Sequence, residues 1–168
     1  MSWIRAFVLS LAMVALAACA SVQRLDAAND VHALLISIRD DDQAAFDAHI
    51  DRAALKQELQ AKLNERAAKD QTLRGLASIL GPAVVDFAGD ALVQPRVFLL
   101  VAEHYGYTPQ TKIPNVVEIA GALKPLPDGR VCAVSKKDGP CLLVFTKEQG
   151  VWRLTGFQGS LSMLRLKL

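Results

Sequence analysis

Apolar positions change their period along this chain, and each change predicts a different kind of element. Ala6 to Ala18 is an apolar run broken only by Ser10. Val31, Leu34, Leu35 and Ile38 then fall at i, i+3, i+4 and i+7, one face of an amphipathic helix, with Asn29 or Asp30 placed to cap its start. Phe46 and Ile50 mark the apolar edge of a second, short helix. Leu55, Leu59, Leu63 and Ala67 predict a third at four-residue spacing, capped by Asp51 and carrying Glu58–Lys62 and Glu65–Lys69 as i,i+4 ion pairs. From Asp70 a new stripe runs through Leu73, Leu76, Ala77, Leu80, Val84, Phe87, Ala88 and Ala91. Pro82 interrupts it, so the stripe predicts a kinked helix or a fresh start with proline first. Pro95 opens and Gly106 closes a further helix, and its Val97–Ala102 stretch is apolar on all sides, which predicts a central position.

Beyond Gly106 the pattern turns to prolines and β-branched residues. Val116 to Leu123 reads as a β-rich run. After Arg130 the period becomes two, predicting strands at Arg130–Lys136, Cys141–Lys147 and Val151–Gln158, with turns at Asp138-Gly139 and Glu148-Gln149-Gly150. Alternation places Trp152, Leu154 and Gly156 on one face, expected to pack on Val97, Leu100 and Val101. There are no internal repeats. Helices first and a meander afterwards argue for an α+β fold, in which N-terminal helices pack on a C-terminal antiparallel three- or four-stranded meander.

Composition changes this picture mainly at the N-terminus. The chain has 168 residues, 52% hydrophobic and 21% charged, with 19 Lys+Arg against 17 Asp+Glu. That suits one domain with one core, and the balanced charge gives no footprint for nucleic acid. The apolar excess sits in the first 18 residues. The Ala6–Ala18 run is too short for a membrane-spanning helix, which needs about 20 residues, but it suits a secretory signal after the positive Arg5. It ends Leu16-Ala17-Ala18-Cys19, which resembles the bacterial lipobox. That resemblance implies cleavage before Cys19, acylation of that cysteine, and attachment to the membrane through its acyl chains, since two or more chains anchor stably. Ala20 stands where an Asp would signal retention in the inner membrane, so the outer membrane is expected, with the domain facing the periplasm. The organisation predicted is a signal peptide at 1–18, a lipidated tether at 19–29 and one domain at 30–168.

Candidate chemistry is sparse. Cys132 and Cys141 flank a predicted turn in an exported chain, where thiols meet an oxidising compartment, and a cross-strand disulfide is expected. Each shares parity with core-like neighbours, Val134 on one strand and Leu143 and Phe145 on the other. Asp40-Asp41-Asp42 lacks the alternating ligands and glycine of a calcium loop and reads as the cap of the second helix. His32, His49 and His104 lack the spacing of a metal pair. Asp86 and Asp90, one turn apart, are read as a solvated stripe or as partners of Arg96 or Arg74 rather than an acid/base pair. Gly75 and Gly81 do not have phosphate-loop spacing. No metal and no cofactor is predicted.

Asp40-Asp41-Asp42-Gln43-Ala44-Ala45-Phe46, Ile50-Asp51, Val93-Gln94-Pro95, Leu143-Val144-Phe145 and Trp152-Arg153-Leu154-Thr155 together resemble a family of short exported bacterial proteins known only as a domain of unknown function. The likeness covers about Asp30 to Gln158. Arg52-Ala53-Ala54 and the two late cysteines depart from the family pattern. Helices on an antiparallel sheet ending in a tryptophan strand also look like the nuclear-transport-factor-two-like and cystatin-like folds. The expected function is a non-enzymatic, membrane-anchored domain that binds a protein or envelope component, with Leu73, Leu76, Leu80, Val84 and Phe87 as the candidate binding stripe. The alternatives are a small-molecule or lipid binder with a cavity between helices and sheet, and, further off, a hydrolase-like enzyme using Asp86, Asp90 or His104.

Overall fold

A computed structural model describes residues 2–69, 91–104, 106–136 and 139–158. Among the described residues, the helices α1 (Ser2–Arg39), α2 (Gln43–Ala48), α3 (Arg52–Lys69), α4 (Pro95–His104) and α5 (Val116–Ala122) precede or lead into a sheet of β1 (Leu123–Pro125), β2 (Val131–Val134), β3 (Cys141–Glu148) and β4 (Val151–Phe157). The strands pair antiparallel in the order β1-β2-β3-β4, so the fold is α+β with a C-terminal meander.

The first helix departs from expectation. Residues 20–29 are not a tether. They continue α1, and Ala27 and Ala28 are fully buried within it. Ala27, Val31, Leu34 and Ile38 form one stripe, and the alanines extend the apolar face back beyond Asp30 because a small side chain lets the helix lie close to the sheet. Asn29 therefore caps nothing; its side-chain amide donates to the Leu25 carbonyl. Ser37, buried at the far end, satisfies its hydroxyl on the Leu34 carbonyl, one turn back.

Helices α2 and α3 start where side chains satisfy their open N–H groups. Asp42 accepts from Ala45 N at the start of α2, and Asp51 accepts from Ala54 N at the start of α3. Glu58–Lys62 and Glu65–Lys69 form as expected. Gly106, at φ +86°, ends α4: its N–H donates to Glu103 and that of Tyr107 to Ala102, the left-handed C-terminal motif that favours glycine.

Two further expectations are corrected. Val116–Ala122 is a helix. Asn115 accepts from Val117 N and Glu118 N while the Glu118 carboxylate accepts from Asn115 N, a capping box whose hydrogen bonds outweigh the β preference of Val116 and Val117. And α4 is not central. Leu100 is 57% exposed and Val97 and Val101 are half-buried. The helix meets the core through Phe98, which packs edge-on to Phe46 at 5.3 Å, and through buried Val93 and Pro95 just ahead of or at its start. Arg52 donates to the Val93 carbonyl and Arg96 pairs with Asp41 at 2.9 Å, pinning α4 to the α1–α3 turns.

The core gathers Ala27, Ala28, Val31 and Leu34 of α1, Phe46, Ile50, Leu55, Ile119, Leu123, Val131, Phe145, Trp152 and Leu154. Strand β4 alternates as expected, with Trp152, Leu154 and Gly156 buried. Their partners differ from those expected: β4 meets chiefly α1 and α3, not α4. The β3–β4 connection uses Gln149 at φ 50° and Gly150 at φ 89°, the doubly left-handed turn that matches strand twist.

Candidate functional site

The outer edge of β4 is built from side chains that the first half of the chain supplies. An edge strand presents open N–H and C=O groups at every second residue. Here Trp152 N donates to Asp30 Oδ2, and Phe157 N donates to Glu58 Oε2. Between them Ile50 makes a one-residue parallel bridge to Leu154, with Leu154 N donating to the His49 carbonyl and Asp51 N donating to Leu154 O. Glu58 reaches the edge because Gly156 leaves room; a Cβ there would collide with the Glu58 carboxylate. Lys62 follows Glu58 and stands 5.3 Å over the Phe157 ring.

At the other end of β4, α1 and the β3–β4 hairpin meet at Asp26. One of its oxygens accepts from Lys147 Nζ at 2.6 Å and from the Trp152 indole N–H at 2.8 Å. The Lys147 ammonium, then the indole, hold the Asp26 carboxyl below its usual range. Lys147 also lies 5.9 Å over the Trp152 ring. One turn earlier, the Gln23 amide donates to the Gly129 carbonyl in the β1–β2 turn. Asp26 lay in the segment read as a tether, and so was missed. Its signal was the i,i+4 pair Asp26 and Asp30, flanking Ala27-Ala28 in register with Val31.

The residues singled out from sequence are dispersed. Cys19 falls within α1, and its side chain is outside what is described. Leu73, Leu76, Leu80, Val84 and Phe87, with Arg74, Asp86 and Asp90, lie outside the described residues, as does the side chain of His104. Arg96 pairs with Asp41. His49 is fixed structurally. Its Nδ1 donates to the Ala45 carbonyl at 2.8 Å, and its Nε2 lies 3.8 Å from Asp30. Among the described residues no group of three or more His, Cys, Asp or Glu is arranged to hold a metal. Among them, too, no helix is long and apolar enough to cross a membrane.

Cys132 and Cys141 form a disulfide, their Cα atoms 5.6 Å apart across β2 and β3. Their surroundings match the parity argument only in part: Cys132 and Phe145 are buried at 1% each, but Leu143 is 37% exposed and Val134 half-buried. Register shifts between Ala133 and Val134 and between Val144 and Phe145 break the alternation on which the argument relied.

Comparison with known proteins places this arrangement in one family. Residues 7–100 match a family described as protein of unknown function (DUF2939). The matched segment takes in the apolar run, Cys19, the aspartate run, Ile50-Asp51 and Val93-Gln94-Pro95, and it ends inside α4. The Leu143–Phe145 and Trp152–Thr155 stretches, part of the expected resemblance, lie beyond it. No curated protein and no solved structure matches the chain. Since the match spans more than half of the chain, the protein belongs to the DUF2939 family of proteins of unknown function.

Proposed function

We propose that this chain is a lipid-anchored envelope protein, acylated on Cys19, whose folded domain faces the periplasm and binds a protein or envelope component rather than catalysing a reaction. The observation that carries the reading is Leu16-Ala17-Ala18-Cys19 at the end of a short apolar run behind Arg5. The Cys132–Cys141 disulfide supports export, because such bonds persist in oxidising compartments. Ala20 after the cysteine favours the outer membrane. The binding reading is supported by the roles of the titratable groups: Asp26, Asp30 and Glu58 hold α1 and α3 to β4, and the His49 ring is engaged on the Ala45 carbonyl at the end of α2. A long helix laid across a four-stranded antiparallel meander is also compatible with a cystatin-like or nuclear-transport-factor-two-like fold, which by itself names no function. Metabolic labelling with a palmitate analogue tests the anchor. The native chain is expected to incorporate label and sediment with membranes, and Cys19→Ser to do neither in mature form. A mature, membrane-bound Cys19→Ser chain would overturn the reading.

A further inference from the structure

We infer that the first docked turn of α1 seats the domain directly on the lipid surface, with Val22 and Leu25 entering the headgroup layer and Arg24 meeting lipid phosphate. This rests on acylation of Cys19. The expected flexible tether is absent, and the distance left in its place is short. Gln23, four positions after Cys19, is already bonded to Gly129, and Asp26 to Lys147 and Trp152. Four residues rise about 6 Å in a helix and reach at most about 14 Å if fully extended. The headgroup region on each side of a bilayer is roughly 5–8 Å deep. An acylated Cys19 therefore holds Gln23 and the β1–β2 turn at or beside the headgroups, whether or not the first turn stays helical.

The side chains at that level fit this occupant. Val22, 66% exposed, lies on the side of α1 opposite Ala27 and Ala28, and Leu25, 44% exposed, lies on the flank between the two sides. Arg24 does not extend toward the domain. Its guanidinium turns back to donate to the Ala20 carbonyl and Ser21 Oγ, which places a cation beside the residues next to the anchor. The neighbouring cations are neutralised, Lys147 by Asp26 and Arg130 by Asp128. An apolar pair beside the anchor with one cation bent toward it fits a lipid surface.

The test uses the full processed protein in phosphatidylethanolamine/phosphatidylglycerol vesicles, with nitroxide labels on Val22→Cys, Asp128→Cys and, at the start of α2 beyond the far end of α1, Gln43→Cys. Mass analysis of the N-terminal peptide is read first. Labels at 22 and 128 are expected to lose access to a water-soluble relaxant, while the label at 43 keeps it. A six-residue Gly/Ser insertion between Ala20 and Ser21 is expected to restore access at 128 without shifting the thermal midpoint. Acylated protein in which 22 and 128 are as accessible as 43 would overturn the seating and leave the anchor standing. So would an insertion that changes nothing. An unacylated N-terminal peptide would overturn the anchor, and the seating with it.

Discussion

At the scale of single residues, two contacts of β4 give direct tests. Asp26 is held ionised by Lys147 and the Trp152 indole. A carboxyl whose folded pKa is depressed adds stability above its unfolded value and loses it as pH falls through the folded one. Asp26→Asn is therefore expected to lower the denaturation midpoint at neutral pH, by about 1 kcal/mol for so exposed a pair. Its deficit should shrink below about pH 4, near the unfolded value; urea titrations of both proteins at the two pH values check this. Gly156 is buried under the Glu58 carboxylate. Gly156→Ala is expected to push that carboxylate off the Phe157 N–H, at about 1–3 kcal/mol for an orphaned buried donor. Adding Glu58→Ala to Gly156→Ala should then cost little more, which a double-mutant cycle by chemical denaturation measures. Trp152→Ala removes a buried indole from between α1 and the sheet, and an equilibrium loss of about 3–5 kcal/mol is expected.

At the scale of elements, the disulfide and the helix boundaries carry the predictions. Cys132→Ser with Cys141→Ser opens a short loop, and a loss of about 2–3 kcal/mol is expected from the freed chain entropy, read as the shift in denaturation midpoint. The strands were legible because Val151–Phe157 alternates with a buried face, and α2 and α3 because Asp42 and Asp51 sit where caps must. Two elements were misread for physical reasons. Val116 and Val117 carry β preference, but the Asn115/Glu118 capping box lies outside the apolar pattern and decides the outcome. The 20–29 stretch of α1 was hidden because Ala27 and Ala28 add little hydrophobic signal while packing closely enough to be fully buried. The partner of Trp152 was wrong for a related reason. An apolar helix such as α4 looks central by composition, whereas position is set by which elements bond the edge strand, and among the described residues these are acidic side chains of α1 and α3 and the backbone of the α2–α3 turn.

At the scale of the whole molecule, the proposed function rests on the proposed anchor and on surfaces, and less of it was legible than of the fold. The resemblance of Leu16-Ala17-Ala18-Cys19 to a lipobox and the cysteine pair are local patterns that sequence displays. The binding stripe from Leu73 to Phe87 remains a proposal, since its position in the fold is outside the described residues. If the domain binds without catalysing, Asp86→Asn with Asp90→Asn is expected to leave a deletion phenotype fully complemented in a correctly localised protein. Loss of complementation would favour the enzymatic reading instead. The closure of β4 has a consequence for the order in which the chain folds. Among the described residues, those that seal that strand, Asp30, His49 to Asp51 and Glu58, lie ahead of it in the chain. In a chain that emerges from its N-terminus, as the proposed export would have it, the seal comes first, so β4 on arrival finds its outer edge already provided for, and does not wait beside another half-made copy with its backbone open. A circular permutant that begins at β2 reverses this order, and should emerge as aggregate even where the refolded product is stable.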